Sequence, residues 1–159
     1  MALSRETYEK MAQEVAKFPP GQKRSAAVAA MAIAQDEARW LSPEVMQEVA
    51  DYLEMPFVAV AELASFYSMF DTQPVGRYKI TVCGSLPCEL AGGSEAARYL
   101  QERLGIGFGK TTPDGMFTLV RGECMGACGE GPVLLVNNRQ MHVRMTPERI
   151  DRLLEELKQ

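Results

Sequence analysis

Arg77-Tyr78-Lys79-Ile80-Thr81-Val82 alternates polar and apolar residues without a break and runs straight into Cys83-Gly84-Ser85-Leu86-Pro87-Cys88. The alternation predicts a strand with Tyr78, Ile80 and Val82 turned towards a core. A cysteine at the tip of such a strand is where a site is grafted onto a rigid scaffold. Further along, Phe117-Thr118-Leu119-Val120 reads as a second strand and leads to Cys124-Met125-Gly126-Ala127-Cys128. These are the four cysteines of the chain, and they fall as two close pairs, C-x4-C and C-x3-C.

Glycine or proline sits inside or beside each pair, at Gly84, Pro87, Gly126, Gly129 and Gly131. Thiolates that share one small inorganic centre need backbone that turns tightly and approaches closely, which glycine supplies. The spacing therefore points first to a cysteine-ligated iron–sulfur cluster of the [2Fe–2S] type. A structural zinc site is the next reading, since x4 and x3 gaps do not exclude it. Disulfides stand behind both, because the charged stretch Met1–Lys10 has no apolar signal region and predicts a reducing, cytoplasmic setting. Thiol redox chemistry stands behind too, because the C-x-x-C spacing that tunes such thiols is absent.

Outward from the cysteines, Gly92-Gly93-Ser94 opens a helix to about Leu104 with Ala96, Ala97, Leu100 and Leu104 facing in and Gly105 as C-cap. Pro113-Asp114-Gly115 reads as a turn before the second strand. Val133-Leu134-Leu135-Val136 is a continuous apolar run that suits a strand buried on both faces, with Met141-His142-Val143 as a short return. Thr146-Pro147-Glu148 caps a last helix whose Ile150, Leu153, Leu154 and Leu157 face the sheet. Residues 73–159 thus read β-α-β-β-α, an order that suits a thioredoxin-like α/β layer fold.

Towards the N-terminus, Asp71-Thr72-Gln73-Pro74-Val75-Gly76 has the composition of a linker. Before it, residues 1–72 read as a compact helical bundle. A first helix spans Ser4 to Phe18 and stops at Pro19-Pro20-Gly21, and an alanine-rich second runs from about Ser25 to Trp40. Ser42-Pro43-Glu44 is an N-cap, N1 proline and first-turn acid, opening a third helix that buries Val45, Met46, Val49 and Leu53. Pro56 opens a fourth with Phe57, Val60, Leu63, Phe66 and Tyr67. The phenylalanines at 57, 66 and 70 read as core, with part of the helical unit left to face another subunit.

Composition narrows the function classes. With 47% hydrophobic and 24% charged residues the 159-residue chain is of ordinary globular type. A net charge of −4 with scattered lysines and arginines leaves no footprint for nucleic acid, and no apolar run is long enough for a membrane span. Gly105-Ile106-Gly107-Phe108-Gly109-Lys110-Thr111 invites a phosphate-loop reading, but Leu104 stands where the motif needs its first glycine. His142 is the single histidine, so a Rieske centre with two histidine ligands is excluded by count. Ser25, Ser42 and Ser94 read as caps or turns, since none lies in a nucleophile elbow.

Motifs in order along both regions carry a resemblance. Phe66-Tyr67-Ser68-Met69-Phe70, Pro74-Val75-Gly76-Arg77-Tyr78, the C-x4-C, Thr111-Thr112-Pro113-Asp114-Gly115 with Phe117-Thr118-Leu119, and Glu123-Cys124-Met125-Gly126-Ala127-Cys128 together resemble one family. It is the NuoE family, the thioredoxin-like [2Fe–2S] ferredoxin component of bacterial NADH:quinone oxidoreductase (respiratory complex I). Ile33-Ala34-Gln35-Asp36-Glu37 and Trp40-Leu41-Ser42-Pro43-Glu44 extend the likeness into the helical region. The resemblance implies one [2Fe–2S] cluster on Cys83, Cys88, Cys124 and Cys128. It implies docking onto the flavin-bearing F subunit, which holds FMN and binds NADH, within a peripheral arm on the cytoplasmic side of the inner membrane. The cluster would exchange an electron with the flavin, to one side of the route to quinone, and hydride chemistry would belong to the partner, leaving this chain without catalytic residues. The equivalent small subunit of NAD-linked formate dehydrogenases or hydrogenases is the near alternative, and a zinc-stabilised interaction module is the alternative from another class. Where many members carry Ala-Pro after the last ligand, this chain has Gly131-Pro132, and Pro132 is expected to follow a cis peptide. Backbone N–H groups near the sulfurs would favour the reduced cluster, while Glu89, Glu123 and Glu130 would oppose it.

Overall fold

A computed structural model describes residues 2–159. The chain divides between Pro74 and Val75 into two compact units.

The first unit is helical, with α1 (Arg5–Val15), α2 (Ala27–Ala38), α3 (Pro43–Leu53) and α4 (Phe57–Phe66). Local chemistry sets the ends. Ser4 and Ser42 accept the N–H groups of Thr7 and Val45 at 3.3 and 3.2 Å, capping α1 and α3. Arg39 and Glu54 take left-handed backbone, with φ of 71° and 57°, and close α2 and α3. Ala27, Ala30 and Ala34 are buried on one side of α2 and admit the close helix approach that so much alanine predicts. Met11, Met31, Leu41, Val49, Leu53 and Val60 fill the centre.

Polar side chains then tie the segments. Glu48 of α3 accepts the N–H groups of Ala2 and Leu3 and the Tyr8 hydroxyl, which donates at 2.9 Å. Gln35 of α2 donates to the Met69 carbonyl at 2.9 Å and accepts the Asp71 N–H at 2.7 Å, holding the segment after α4.

Three expectations for this unit need correction. The first helix stops at Val15 rather than Phe18, which lies in the turn region. The second begins with a 3-10 turn, Lys23–Ala26, and ends at Ala38 rather than Trp40. Of the three phenylalanines only Phe70 is core, at 7% exposure; Phe57 and Phe66 are 38% and 79% exposed. Helix α4 is apolar around much of its circumference, so its pattern does not reveal which side faces the core.

The second unit runs β1 (Tyr78–Cys83), α5 (Leu86–Leu90), α6 (Gly93–Leu104), β2 (Lys110–Thr111), β3 (Phe117–Gly122), β4 (Leu134–Val136), β5 (Gln140–His142) and α7 (Pro147–Lys158). Its mixed sheet has the order β2-β3-β1-β4-β5. β1 and β3 are parallel, in register from Tyr78 with Phe117 to Cys83 with Gly122, and the other pairings are antiparallel. Ile80, Leu119 and Leu134 from the sheet meet Leu100 of α6 and Ile150 of α7 in one core. The layering is the thioredoxin-like α/β arrangement that the order of elements predicts.

Besides the short return, which is β5, two elements extend the expected β-α-β-β-α. Helix α5 has five residues, too few to show a period, and β2 has two. β2 pairs with β3 through the Thr112–Gly115 turn, where the Gly115 N–H donates to the Thr112 carbonyl at 2.8 Å. The glycine-rich stretch therefore leaves a helix and enters a hairpin, the reverse of a phosphate loop. Among the described residues no helix is long and apolar enough to cross a membrane.

Candidate metal centre

Parallel pairing puts the C-terminal ends of β1 and β3 side by side, and each end leads into one cysteine pair. At the first, the Cys83 N–H donates to the Val133 carbonyl at 3.0 Å and the Gly84 N–H to the Gly122 carbonyl at 2.9 Å. These bonds fix Cys83 at the C-terminal end of the central strand and aim the chain into α5, which carries Cys88. Both sulfur-bearing residues are buried. At the second, the loop after β3 presents Cys124 and then Cys128 at the start of a 3-10 turn, both exposed. Their sulfurs lie 3.5 Å apart. Gly126 between them has φ of 80°, a backbone that lets the loop fold its N–H towards Cys124.

Space around Cys88 is kept by glycine. A Cβ at Gly131 would lie 2.9 Å from the Ala91 Cβ and 3.6 Å from the Cys88 sulfur. The Gly131–Pro132 peptide is cis, as expected from the sequence. A Cβ at Gly93 would lie 2.7 Å from the Cys88 carbonyl oxygen, so α6 starts hard against α5.

The thiols differ in a regular way. Burial works against the charged form of Cys83, but the Ser85 hydroxyl and N–H, the neighbouring Cys88 and the Met125 N–H together hold its thiol below the usual range. Cys88 is pushed up by burial, then by its hydrogen bond to Cys83 and the charge there. Cys124 is held down by the Gly126 N–H, then by Cys128 and the Ser85 hydroxyl. Cys128 is pushed up by its bond to Cys124 and the charge on it. In each pair one thiol is held below its ordinary value and the other is pushed above it, and a charge at Cys83 works against charge on both Cys124 and Cys128.

The donor set fits a binuclear centre. Two thiolates on one tetrahedral metal, with metal–sulfur bonds near those of zinc, stand about 3.7 Å apart. The 3.5 Å spacing of Cys124 and Cys128 suits two ligands of one ion. Among the described residues no three His, Cys, Asp or Glu side chains gather around a single point. A [2Fe–2S] cluster takes four cysteine thiolates, two on each iron, and two pairs at adjoining strand ends can supply them.

Two carboxylates around the pairs are partnered. Glu89 takes the Arg121 guanidinium at 2.8 Å and the Ser94 hydroxyl, and Glu130 takes Arg144 at 3.3 Å. Glu123 is exposed. Ser42 is a cap and Ser94 a carboxylate partner, so neither is placed as a nucleophile. His142 sits on β5 opposite Leu134, with its Nε2 buried and without a hydrogen-bond partner. Sequence reasoning singles out neither Ser85 nor Arg121. Arg121 cannot be found that way, because its place beside Gly84 depends on the β1–β3 pairing. Ser85 can, since a hydroxyl inside the C-x4-C itself is a signal.

The chain is similar to known proteins over most of its length. The profile of the thioredoxin-like [2Fe–2S] ferredoxin family matches residues 11–158. NADH-quinone oxidoreductase subunit 2 of Thermus thermophilus is 40% identical over 139 residues, covering 87% of this chain and 77% of its own. The second E-type component of the NADH-quinone oxidoreductase of Rhizobium meliloti is 41% identical over 147 residues, covering 92% and 86%. Among solved structures, an NAD+-reducing [NiFe]-hydrogenase in the H2-reduced state superposes with a TM-score of 0.69 at 26% identity. That match covers 80% of this chain and 22% of the hydrogenase chain.

Proposed function

As this chain belongs to the thioredoxin-like [2Fe–2S] ferredoxin family, we propose that it is the electron-transfer subunit of an NADH:quinone oxidoreductase. In this reading Cys83 and Cys88 hold one iron of a single [2Fe–2S] cluster, and Cys124 and Cys128 hold the other. The observation that carries the assignment is the meeting of the two cysteine pairs at the shared end of parallel β1 and β3. When bound, the cluster accepts and returns one electron. The chain's own residues set the conditions for that exchange. Gly93 and Gly131 leave room at Cys88, and the N–H groups of Ser85, Met125 and Gly126 stabilise thiolate charge. The Glu89–Arg121 pair puts a neutral ion pair, rather than a bare carboxylate, beside the first cysteines.

The partner in this reading is the flavin- and NADH-binding F subunit of the same peripheral arm, on the cytoplasmic side of the membrane. Hydride transfer belongs to that partner in this reading, and what this chain's site offers is thiols. A second reading keeps the same module and changes the host: the superposition on an NAD+-reducing hydrogenase suits a hydrogenase or formate dehydrogenase small subunit. Relatives near 40% identity named for the quinone-linked enzyme favour the first.

The test is the full chain purified without air. Metal analysis is expected to give about two irons and two sulfides per chain, with a rhombic EPR signal on reduction by dithionite. Zinc, or no metal and no signal, would sink the assignment. Affinity purification from the native host distinguishes the hosts: a quinone reductase arm with FMN supports the first reading, and hydrogenase or formate dehydrogenase subunits support the second.

A further inference from the structure

Ser85 occupies the N-cap position of α5, and its carbonyl accepts the Glu89 N–H at 3.0 Å. A serine there ordinarily turns its hydroxyl onto the free N–H groups of the first helical turn. This one makes no such cap bond. Its Oγ lies instead 3.2 Å from the Cys83 sulfur, in a half-buried position. The same hydroxyl stands near enough to Cys88 and Cys124 to favour charge on each. A hydroxyl diverted from its helix towards the Cys83 sulfur is placed for something other than helix stability.

Resting on the cluster assignment above, we infer that Ser85 is a positioning residue that donates its hydroxyl proton to the metal-bound Cys83 sulfur and raises the reduction potential of the cluster. The direction of the bond follows from chemistry. A cysteine bound to iron has lost its proton and can only accept, so the hydroxyl must donate. The reduced cluster carries one more negative charge than the oxidised one, and that charge spreads onto the sulfurs. A donor aimed at a sulfur therefore stabilises the reduced state more, and its removal makes reduction harder. No proton moves and no bond is made or broken; the serine shifts the balance of a one-electron equilibrium.

The experiment uses the full chain with its cluster, followed by EPR during potentiometric titration. Ser85→Ala is expected to lower the reduction equilibrium constant about threefold to tenfold, the upper figure being about 59 mV for one electron. Ser85→Thr, which keeps a hydroxyl, is expected to stay near the parent, and Ser85→Val, of the same shape without one, to fall with Ala. The parent protein alone gives a further readout: exchange into D2O shifts the iron–cysteinyl stretching bands in resonance Raman. An unchanged potential in Ser85→Ala, a Thr variant that falls as far as Val, or bands unmoved by D2O would each overturn the inference. Failure of the cluster assignment is separate, because it is seen first as a parent protein without iron and sulfide.

Discussion

A methyl group at position 93 would lie 2.7 Å from the Cys88 carbonyl oxygen and 2.9 Å from its carbon, distances that real Cβ atoms do not occupy. Both contacts are backbone, so no flexible side chain can yield, and either α6 or the Cys88 segment must move. Gly93→Ala is expected to destabilise by about 1–3 kcal/mol, the usual cost of forced overpacking, and to reduce the iron bound per chain because Cys88 is the group displaced. Urea unfolding and iron assay on the same samples check both. The neighbouring Gly92 has φ of 94° and a nearest contact of 4.0 Å, so there a side chain meets backbone strain instead of collision. At this scale the four cysteines stand out in the sequence because residue type and spacing read as a ligand set. The need for glycine at position 93 is not, since it arises only from the approach of α6 to α5.

Among the elements, α1 is held by its start. Glu48 gathers two N–H groups and the Tyr8 hydroxyl, while Glu37 accepts the Ser4 N–H at 3.0 and 3.1 Å with both oxygens. Burial first, and then the bond to the Glu48 carboxylate, push the Tyr8 phenol up to about 12. A folded-state value above the ordinary one means the contribution is complete below about pH 10 and is lost as pH rises through about 12. Tyr8→Phe is expected to lower stability by about 1 kcal/mol at neutral pH, the usual worth of such a bond, and to flatten the decline above pH 10; unfolding curves across that range measure it. Strand β1 and the capped start of α3 are legible because alternation and Ser-Pro-Glu are local signals. Helix α5 and strand β2 are not, being too short for a period to repeat, and the outward turn of Phe66 is hidden because α4 is apolar on more than one side.

Across the whole molecule, the site belongs to no single segment. Cys83 and Cys88 are separated from Cys124 and Cys128 by α6, β2 and β3, so a cluster spanning both pairs cross-links the full crossover between the parallel strands. Removing the cluster with a chelator under reducing conditions is expected to cost about 3 kcal/mol or more, the order of loop-closure entropy that a covalent link of such span removes. Calorimetry of loaded and stripped protein should show the loss; identical transitions would mean the pairs are held by the fold alone. The two-unit organisation is readable from the proline- and glycine-bearing stretch after Phe70, because a change of period marks it.

Parallel β1 and β3 also set a timetable. On the ribosome, Cys83 and Cys88 emerge while their partners are still unmade, and neighbours in sequence cannot supply the missing pair. The shared strand end from which both cysteine pairs depart exists only once β3 has been synthesised and has docked alongside β1 across the intervening crossover, a slow, non-local step. With the cluster on the four proposed ligands, delivery of iron and sulfide would wait on a nearly finished fold, and a nascent chain arrested before Cys124 would have no complete place to receive them.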